Sequence, residues 1–336
     1  MGKILVTGGC GYIGSHTVVD LLDNGYRVII IDDLSNSSEE VLDGIESITG
    51  IRVPMYKVDL KDKQAVLDCF SAESDIEGIV HFAAYKSVEE STRKPLGYFE
   101  NNIKGLMHVL EGVQRYDIPH FIFSSSCTVY GQPDILPVTE QTPMQETESP
   151  YGRTKLIGEF ILKDISGLSP LQTISLRYFN PAGAHETAEI GEDPINKASN
   201  LVPIITETAI GKREKMTVYG DDYDTRDGTC IRDYIHIMDL AAAHTKALDY
   251  LRAEQSGKDF EVFNLGIGEG VTVLEAIHAF EQVTGETLNY EIGDRRPGDV
   301  EAIYANYSKA GEVLGWEPRR DIEDIMRTAW EWEEEK

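Results

Sequence analysis

A short apolar run, Lys3–Thr7, breaks directly onto Gly8, Gly11 and Gly14, and a helical pattern over Tyr12–Asn24 follows with no linker and ends at Gly25. Few folds accommodate that arrangement. Glycines at three-residue steps allow a tight turn between strand and helix, and the free N–H groups of the first helical turn then point toward any anion that approaches. In a chain with 30 glycines the spacing alone is weak, and a plain glycine-rich turn is the bland alternative. Its place inside a strand–turn–helix unit is what carries the inference. A nucleoside-triphosphate loop is excluded: Gly9 and Gly14 have the right gap, but Ser15-His16 follow where Lys and Ser or Thr are required.

The same rhythm continues. Strand-like runs at Arg27–Asp32, Arg52–Val58, Gly78–Phe82, Phe121–Ser125 and Gln172–Tyr178 alternate with helical patterns at Glu39–Ile48, Lys61–Phe70, Pro95–Tyr116 and Tyr151–Lys163. Such alternation implies parallel strands joined by right-handed helical crossovers, an α/β doubly wound sheet of the Rossmann type. Around Asn180 the rhythm changes to a loop rich in Gly, Pro, Asn and Glu, and shorter elements follow: helix 200–211, strand 216–219, strand 230–236, helix 238–253, strand 261–265, helix 273–283 and a last helix near 321–334. The expectation is a first domain over 1–180 and a smaller mixed α/β domain over 181–336, with about 235–266 returning to the first.

Composition excludes several classes. The chain of 336 residues is 41% hydrophobic and carries a net charge of −27, which argues against a nucleic-acid coat or an anionic membrane as partner. Cys10, Cys69, Cys127 and Cys230 are far apart and form no zinc or disulfide spacing, so no metal is expected. No apolar run reaches membrane length, and no signal peptide is legible. Met1-Gly2 is not followed by the Ser or Thr that myristoylation needs, since Val6 stands there. A reduced, cytoplasmic protein is the expectation.

Asp32 ends the second strand, 18 residues after Gly14, where a carboxylate can accept hydrogen bonds from both ribose hydroxyls of a dinucleotide and would repel a 2′-phosphate. NAD is therefore favoured over NADP, with the neighbouring Asp33 leaving the choice of carboxylate open by one position. Tyr151 and Lys155 form Y-x-x-x-K and share one helix face. A nearby ammonium and an oxidised nicotinamide both favour the phenolate, so Tyr151 can take a hydroxyl proton while hydride leaves the same carbon. Ser124-Ser125-Ser126 falls at the C-terminal end of a parallel strand, where open α/β sheets bind ligands. A helix-start tyrosine and a serine-rich turn are the bland alternatives.

The motifs T-G-G-x-G-Y-I-G-S-H at 7–16, S-S-S-x-T-V-Y-G at 124–131, S-P-Y-G-x-x-K at 149–155, R-Y-F-N-P-x-G-A at 177–184 and R-D-Y-I-H at 232–236 together resemble the UDP-glucose 4-epimerase family of extended short-chain dehydrogenases/reductases, over nearly the whole chain. The resemblance implies a tightly held NAD, a homodimer and a UDP-hexose substrate. It implies Tyr151 as base, Ser126 as its partner and Lys155 as the ribose-binding lysine. Gly8, Gly11, Tyr12, Ile13, Gly14, Asp32, Asp33, Asn36, Asp59, Leu60, Phe82, Ala83, Lys86, Asn101, Ser124 and Phe179 fall on cofactor positions. Lys86, Asn180, Asn200, Leu201, Val218, Tyr219, Arg232, Tyr234, Arg296, Asp299 and Ile303 fall on UDP-sugar positions. Arg232 and Arg296 also suit a pyrophosphate on chemical grounds, because guanidinium groups supply several donors in a fixed plane.

The implied reaction is reversible C4 epimerisation of UDP-glucose and UDP-galactose through a 4-keto sugar, as in galactose metabolism. A 4,6-dehydratase on the same scaffold is disfavoured: relatives that eliminate water carry Asp-Glu after the strand-end Ser/Thr, and here Cys127 and Thr128 stand there. A non-catalytic NAD-binding sensor is disfavoured because Tyr151, Lys155 and the serine run are intact. Ile303 stands where some members carry Tyr, which in family terms can admit a C2 acetamido group, unless Tyr304 refills the space. Dimerisation is expected through helices 95–116 and 151–163, because Tyr98, Phe99, Met107, Leu110 and Tyr116 spread around the first helix.

Overall fold

The computed structural model of the chain describes residues 2–168, 170–195, 198–296 and 299–336. Its first half runs β1 (Lys3–Thr7), α1 (Tyr12–Asp23), β2 (Arg27–Asp32), α2 (Val41–Thr49), β3 (Met55–Lys57), α3 (Lys63–Ala72), β4 (Ile76–His81), α4 (Val88–Arg93), α5 (Pro95–Phe99), α6 (Gly105–Arg115), β5 (His120–Ser126), α7 (Pro150–Ile165) and β6 (Gln172–Tyr178). The second half runs β7 (Asn180–Ala182), α8 (Leu201–Ala209), β8 (Met216–Tyr219), β9 (Ile231–Arg232), β10 (Tyr234–His236), α9 (Ile237–Arg252), β11 (Phe260–Leu265), β12 (Val271–Thr272), α10 (Val273–Thr284), β13 (Tyr290–Gly293), β14 (Ala302–Ile303), α11 (Ser308–Leu314) and α12 (Ile322–Glu335).

Among the described residues seven strands form the main sheet in the order β11-β6-β5-β4-β1-β2-β3, every pair parallel. The strands are apolar on both faces because both are covered. Val18, Leu21, Leu240 and Leu248 of α1 and α9 pack against Ile4, Val6 and Ile30 on one side. Val66, Phe70, Leu106, Val109 and Leu162 of α3, α6 and α7 cover Leu5, Ile29, Ile79 and Phe121 on the other. β11 and α9 thus bring residues from beyond 181 back into this layer. A second core, with Val202, Ile205, Ile277, Phe280, Ile325 and Met326, holds α8, α10 and α12 together.

Three departures from the sequence expectation have physical causes. The strand expected over 52–58 is only β3, because Pro54 offers no N–H to a ladder. The helix expected over 95–116 is divided by a π turn at Glu100–Lys104 and preceded by the separate α4. The π turn holds the buried Asn102, whose amide accepts from Tyr85 N–H at 2.8 Å and donates to the Thr154 hydroxyl at 3.0 Å, tying the loop after β4 to α7. The strand expected over 230–236 is two strands, interrupted at Asp233. Its buried carboxylate accepts Ile267 N–H at 2.8 Å, Gly268 N–H at 3.3 Å and Ala305 N–H at 2.9 Å, so three chain segments converge where the ladder breaks. The outcome is that β9 pairs with β12 and β14 while β10 pairs with β7.

Candidate active site at the strand ends

The glycine loop lies between β1 and α1. Gly8 has φ +72°, and a Cβ on it would sit 2.8 Å from Ala83 N. A Cβ on Gly14 would sit 2.1 Å from the Gly8 carbonyl oxygen, so the turn closes only with glycine there. Gly11 caps α1 with no side-chain acceptor, and the first turn holds no acidic residue, which keeps the positive end of the helix free for a phosphate. Asp32 at the end of β2 is buried and turns toward this loop: its carboxylate accepts Cys10 N–H at 3.0 Å and Leu34 N–H at 2.9 Å. Asp33 instead caps its own turn through Ser35 N–H, which separates the two adjacent carboxylates. Burial raises the Asp32 carboxyl above its ordinary range, while these N–H bonds pull it down.

Along the sheet from β1 the next strands are β4, β5 and β6: Phe82, Ala83 and Phe179 follow the ends of β4 and β6, and Ser124 lies among the last residues of β5. With Tyr12 and Ile13 at the start of α1, they line the edge along which a dinucleotide would lie. Asp59 and Leu60 follow β3, where Asp59 accepts Lys61 N–H at 2.8 Å. Asn36 lies exposed in the loop after β2, and Asn101 in the π turn donates to the Asn102 amide oxygen at 3.1 Å. The glycine cradle, the buried carboxylate beside it and this row of strand ends fit an NAD.

The chemical centre is built from α7 and the end of β5. Ser149 caps α7 by accepting Gly152 N–H at 3.1 Å, and Pro150 fills the first position, so Tyr151 stands on the opening turn. The Lys155 ammonium is buried and donates to the Ser124 carbonyl at 2.7 Å; it lies 5.9 Å from the Tyr151 ring centre. Burial pushes the Tyr151 phenol up to about 12, against a hydrogen bond with Ser126 that pulls it down. Burial likewise lowers Lys155 to about 7. Ser126 is held in place because its hydroxyl oxygen accepts Thr128 N–H at 3.2 Å and the Thr128 hydroxyl at 3.1 Å.

The substrate positions come from the second half. The parallel pairing of β9 with β14 sets Ile303 opposite Arg232. Asp299 joins both arginines: its carboxylate lies 3.6 Å from the Arg232 guanidinium and accepts from Arg296 at 2.8 and 3.1 Å. Arg296 also covers the exposed Tyr219 ring at 5.6 Å. Asn180 opens β7, separated from the end of β6 by Phe179 alone, and Asn200 occupies the N-cap position of α8 just before Leu201. Ile303 is buried in a small cluster with Val129, Tyr130, Val138, Phe179 and Ala305. Val218 and Tyr234 have their side chains buried in the second core with Ala182, and Tyr234 is close enough to Arg232 and Asp299 to feel their charges.

Several residues of the site went unnamed in the sequence reading. Glu192 accepts Lys86 at 3.0 Å and Asn200 at 2.7 Å, so one carboxylate joins a donor of the first half to one of the second. Nothing in its glycine-rich loop signals this. Tyr178 pairs its phenol with the Ser124 hydroxyl. Gly183 is a third: its carbonyl accepts from Tyr12, the expected cofactor residue, at 2.6 Å, linking the glycine loop to the segment that follows Asn180.

The sequence profile described as GDP-mannose 4,6 dehydratase matches residues 5–329. The UDP-glucose 4-epimerase of Erwinia amylovora is 47% identical over 332 residues, covering 98% of this chain and 97% of that one. This chain belongs to the UDP-glucose 4-epimerase family. The crystal structure of the UDP-glucose-4-epimerase from Stenotrophomonas maltophila, with bound NAD and formylated UDP-arabinopyranose, superimposes with a TM-score of 0.96 at 42% identity and covers 100% of this chain and 98% of its own. The UDP-Glc/GlcNAc 4-epimerase of Campylobacter jejuni superimposes with a TM-score of 0.85 at 38% identity, with 100% of each chain covered. Membership in the epimerase family agrees with the geometry after Ser126. Cys127 and Thr128 follow it, a thiol and an alcohol where a dehydration needs a carboxylic acid, and burial raises the Cys127 thiol further.

Proposed function

We propose that the chain is an NAD-dependent UDP-glucose 4-epimerase that interconverts UDP-glucose and UDP-galactose. The observation that carries the reading is the convergence of Tyr151, Ser126 and Lys155 at the strand ends beside the Gly8–Gly14 cradle, in a chain of that family. NAD, when bound, supplies a hydride acceptor and donor at C4 of the sugar. Gly8, Gly11 and Gly14 would hold its pyrophosphate and Asp32 its adenosine ribose. Tyr151 would take the O4 proton as hydride leaves C4, with Ser126 sharing it; the 4-keto sugar turns, hydride returns to the opposite face of C4, and Tyr151 gives the proton back to O4. Arg232, Arg296 and Asp299 grip the UDP end. Binding energy placed there keeps the substrate resident while leaving the hexose free to rotate. Incubation with UDP-galactose should yield UDP-glucose by NMR, and absence of conversion in NAD-loaded protein would overturn the reading.

The functional units are residues 1–180 with the returning α9 and β11 as the NAD-binding part, and the remainder of 181–336 as the UDP-sugar part. A homodimer is supported by apolar side chains on α5, α6 and α7: Leu96, Met107 and Phe160 are 82%, 52% and 48% exposed. Of the positions expected to be in surplus, Tyr98 and Leu110 are buried within the chain itself, and Tyr116 stacks on Phe70. A sedimentation mass near one chain at micromolar concentration would contradict the dimer. A cytoplasmic location is supported by the four free thiols, three of them buried; no helix among the described residues is long and apolar enough to cross a membrane. Activity on UDP-N-acetylhexosamines is a second reading, favoured by Ile303 and by the likeness to the Campylobacter enzyme.

A further inference from the structure

Helix α7 presents Tyr151, Lys155 and Glu159 at four-residue steps, one above the other on a single face. The first two belong to the chemical centre. The third is buried, 4% exposed, and paired with the equally buried Arg177 of β6: the guanidinium donates to both Glu159 oxygens, through Nε at 2.9 Å and through a terminal nitrogen. Glu159 also accepts the Ser125 hydroxyl, so it holds the strand residue between Ser124, which Lys155 anchors, and Ser126, the partner of Tyr151. Arg177 extends the link: it donates to the Tyr130 phenol at 3.0 Å, and Tyr130 donates to the Asn264 side chain at 2.6 Å. Tyr130 closes the 3-10 turn Cys127–Tyr130, whose Thr128 orients Ser126. One ion pair therefore touches every element that places a reacting group, yet itself meets neither arginine of the UDP end.

We propose that Glu159 and Arg177 are positioning residues for the proton transfer, setting how far the Tyr151 phenol on α7 stands from the Ser126 hydroxyl on β5. The inference rests on the epimerase reading. A bidentate pair fixes orientation as well as distance. A buried pair of this kind adds little net stability over a well-packed apolar pair, so its value is expected in geometry. Because the pair lies behind the strand, its loss alters the chemical step and leaves UDP binding as it was.

The test uses NAD-loaded protein with UDP-galactose, and wild-type turnover measured alongside tests the epimerase reading by itself. The double variant Glu159→Gln/Arg177→Met keeps the volume and leaves no unpaired charge. Its kcat per bound NAD should fall about 10–100-fold, its KM should stay within about twofold of wild type, and its solvent isotope effect should rise as proton transfer becomes limiting. Arg177→Lys, which keeps the charge and loses the fork, should fall between the two. A variant that merely folds less well would lose NAD-loaded protein while keeping the wild-type rate per NAD and the wild-type isotope effect, and that result overturns the proposal. Tyr130→Phe removes the hydroxyl that joins Arg177 to Asn264 while leaving the ion pair itself in place, and serves if the double variant does not fold. A several-fold loss of kcat with unchanged KM supports the proposal, and wild-type kcat overturns it.

Discussion

The Lys155 ammonium passes the Tyr151 ring and donates to the Ser124 main-chain carbonyl at 2.7 Å, so the lysine is anchored to the strand that carries the serine run. The bond fixes where the positive charge stands, 5.9 Å from the ring centre. Lys155→Met is therefore expected to do two things. It leaves a buried carbonyl without its donor, costing ~1–3 kcal/mol, seen as a melting temperature lower by several degrees. It also removes the charge that favours the phenolate, lowering kcat. Loss of turnover with no change in melting temperature would contradict the anchoring role.

Tyr151→Phe should keep the fold and the NAD, because the ring still packs on the opening turn of α7. Loss of a general base lowers the rate ~10²–10⁴-fold. A variant that retains more than half of wild-type turnover on UDP-galactose would show that another group takes the O4 proton.

Ser126→Ala is expected to move the ascending limb of the kcat/KM pH profile to higher pH. The Ser126 hydrogen bond pulls the Tyr151 phenol down against burial, so its removal raises the pH at which the base becomes available. A limb that stays put, or moves to lower pH, counts against the pairing.

Acid should destabilise the fold through its buried imidazoles. Burial lowers His16, His81 and His236 from the ordinary 6.5 to about 3, and His244 to about 4. Unfolded, these rings take up protons near pH 6.5; folded, they stay neutral. Their contribution is full above 6.5 and is lost as pH falls toward the folded values, at up to ~1.4 kcal/mol per pH unit for each ring. Asp233 acts in the opposite sense: burial pushes it up to about 6, so its contribution is present at low pH and lost as pH rises through that value. Four rings outweigh one carboxyl. Unfolding at pH 5.5 should take up about three protons from these groups, with a melting temperature below that at pH 7. Proton release on unfolding at pH 5.5 would sink the argument.

What could be read from the sequence is what the chain determines locally. The glycine loop between β1 and α1, the Tyr151–Lys155 pair on α7 and the alternation of strands and helices in the first half all rest on patterns within about 20 residues of each other. What escaped is long-range. Asp233 breaks a strand because Ile267, Gly268 and Ala305 bring it their N–H groups from far along the chain. Asn102 turns inward because Tyr85 and Thr154 await it. Glu192 joins Lys86 to Asn200 across 106 residues on one side. The second core that buries the side chains of Val218 and Tyr234 is assembled from β8, β10, α8, α10 and α12, and no local pattern announces it.

Ile303 stands between two readings that the sequence leaves open, and its surroundings bear on one of them. One is that a short side chain here leaves space beside C2 of the sugar; the other is that Tyr304 fills it. Successive side chains of a strand point to opposite faces. Ile303 faces Phe179 and Val129, whereas the Tyr304 ring lies against Gly270, where a Cβ would come within 3.1 Å of it. Tyr304 therefore packs on the other side of the chain from the Ile303 cluster. A Tyr at 303 has no room within the cluster of Val129, Tyr130, Val138 and Ala305, where added atoms cost ~1–3 kcal/mol. Its ring would swing outward toward the substrate side of Arg232, its neighbour across the strand pair. Ile303→Tyr should thus lower kcat/KM for UDP-N-acetylglucosamine by about tenfold or more relative to UDP-galactose, the scale on which a pocket rejects a group it cannot seat. Equal losses on both substrates would mean that the substitution disturbs the cluster and not the pocket, and would remove Ile303 from the determinants of specificity.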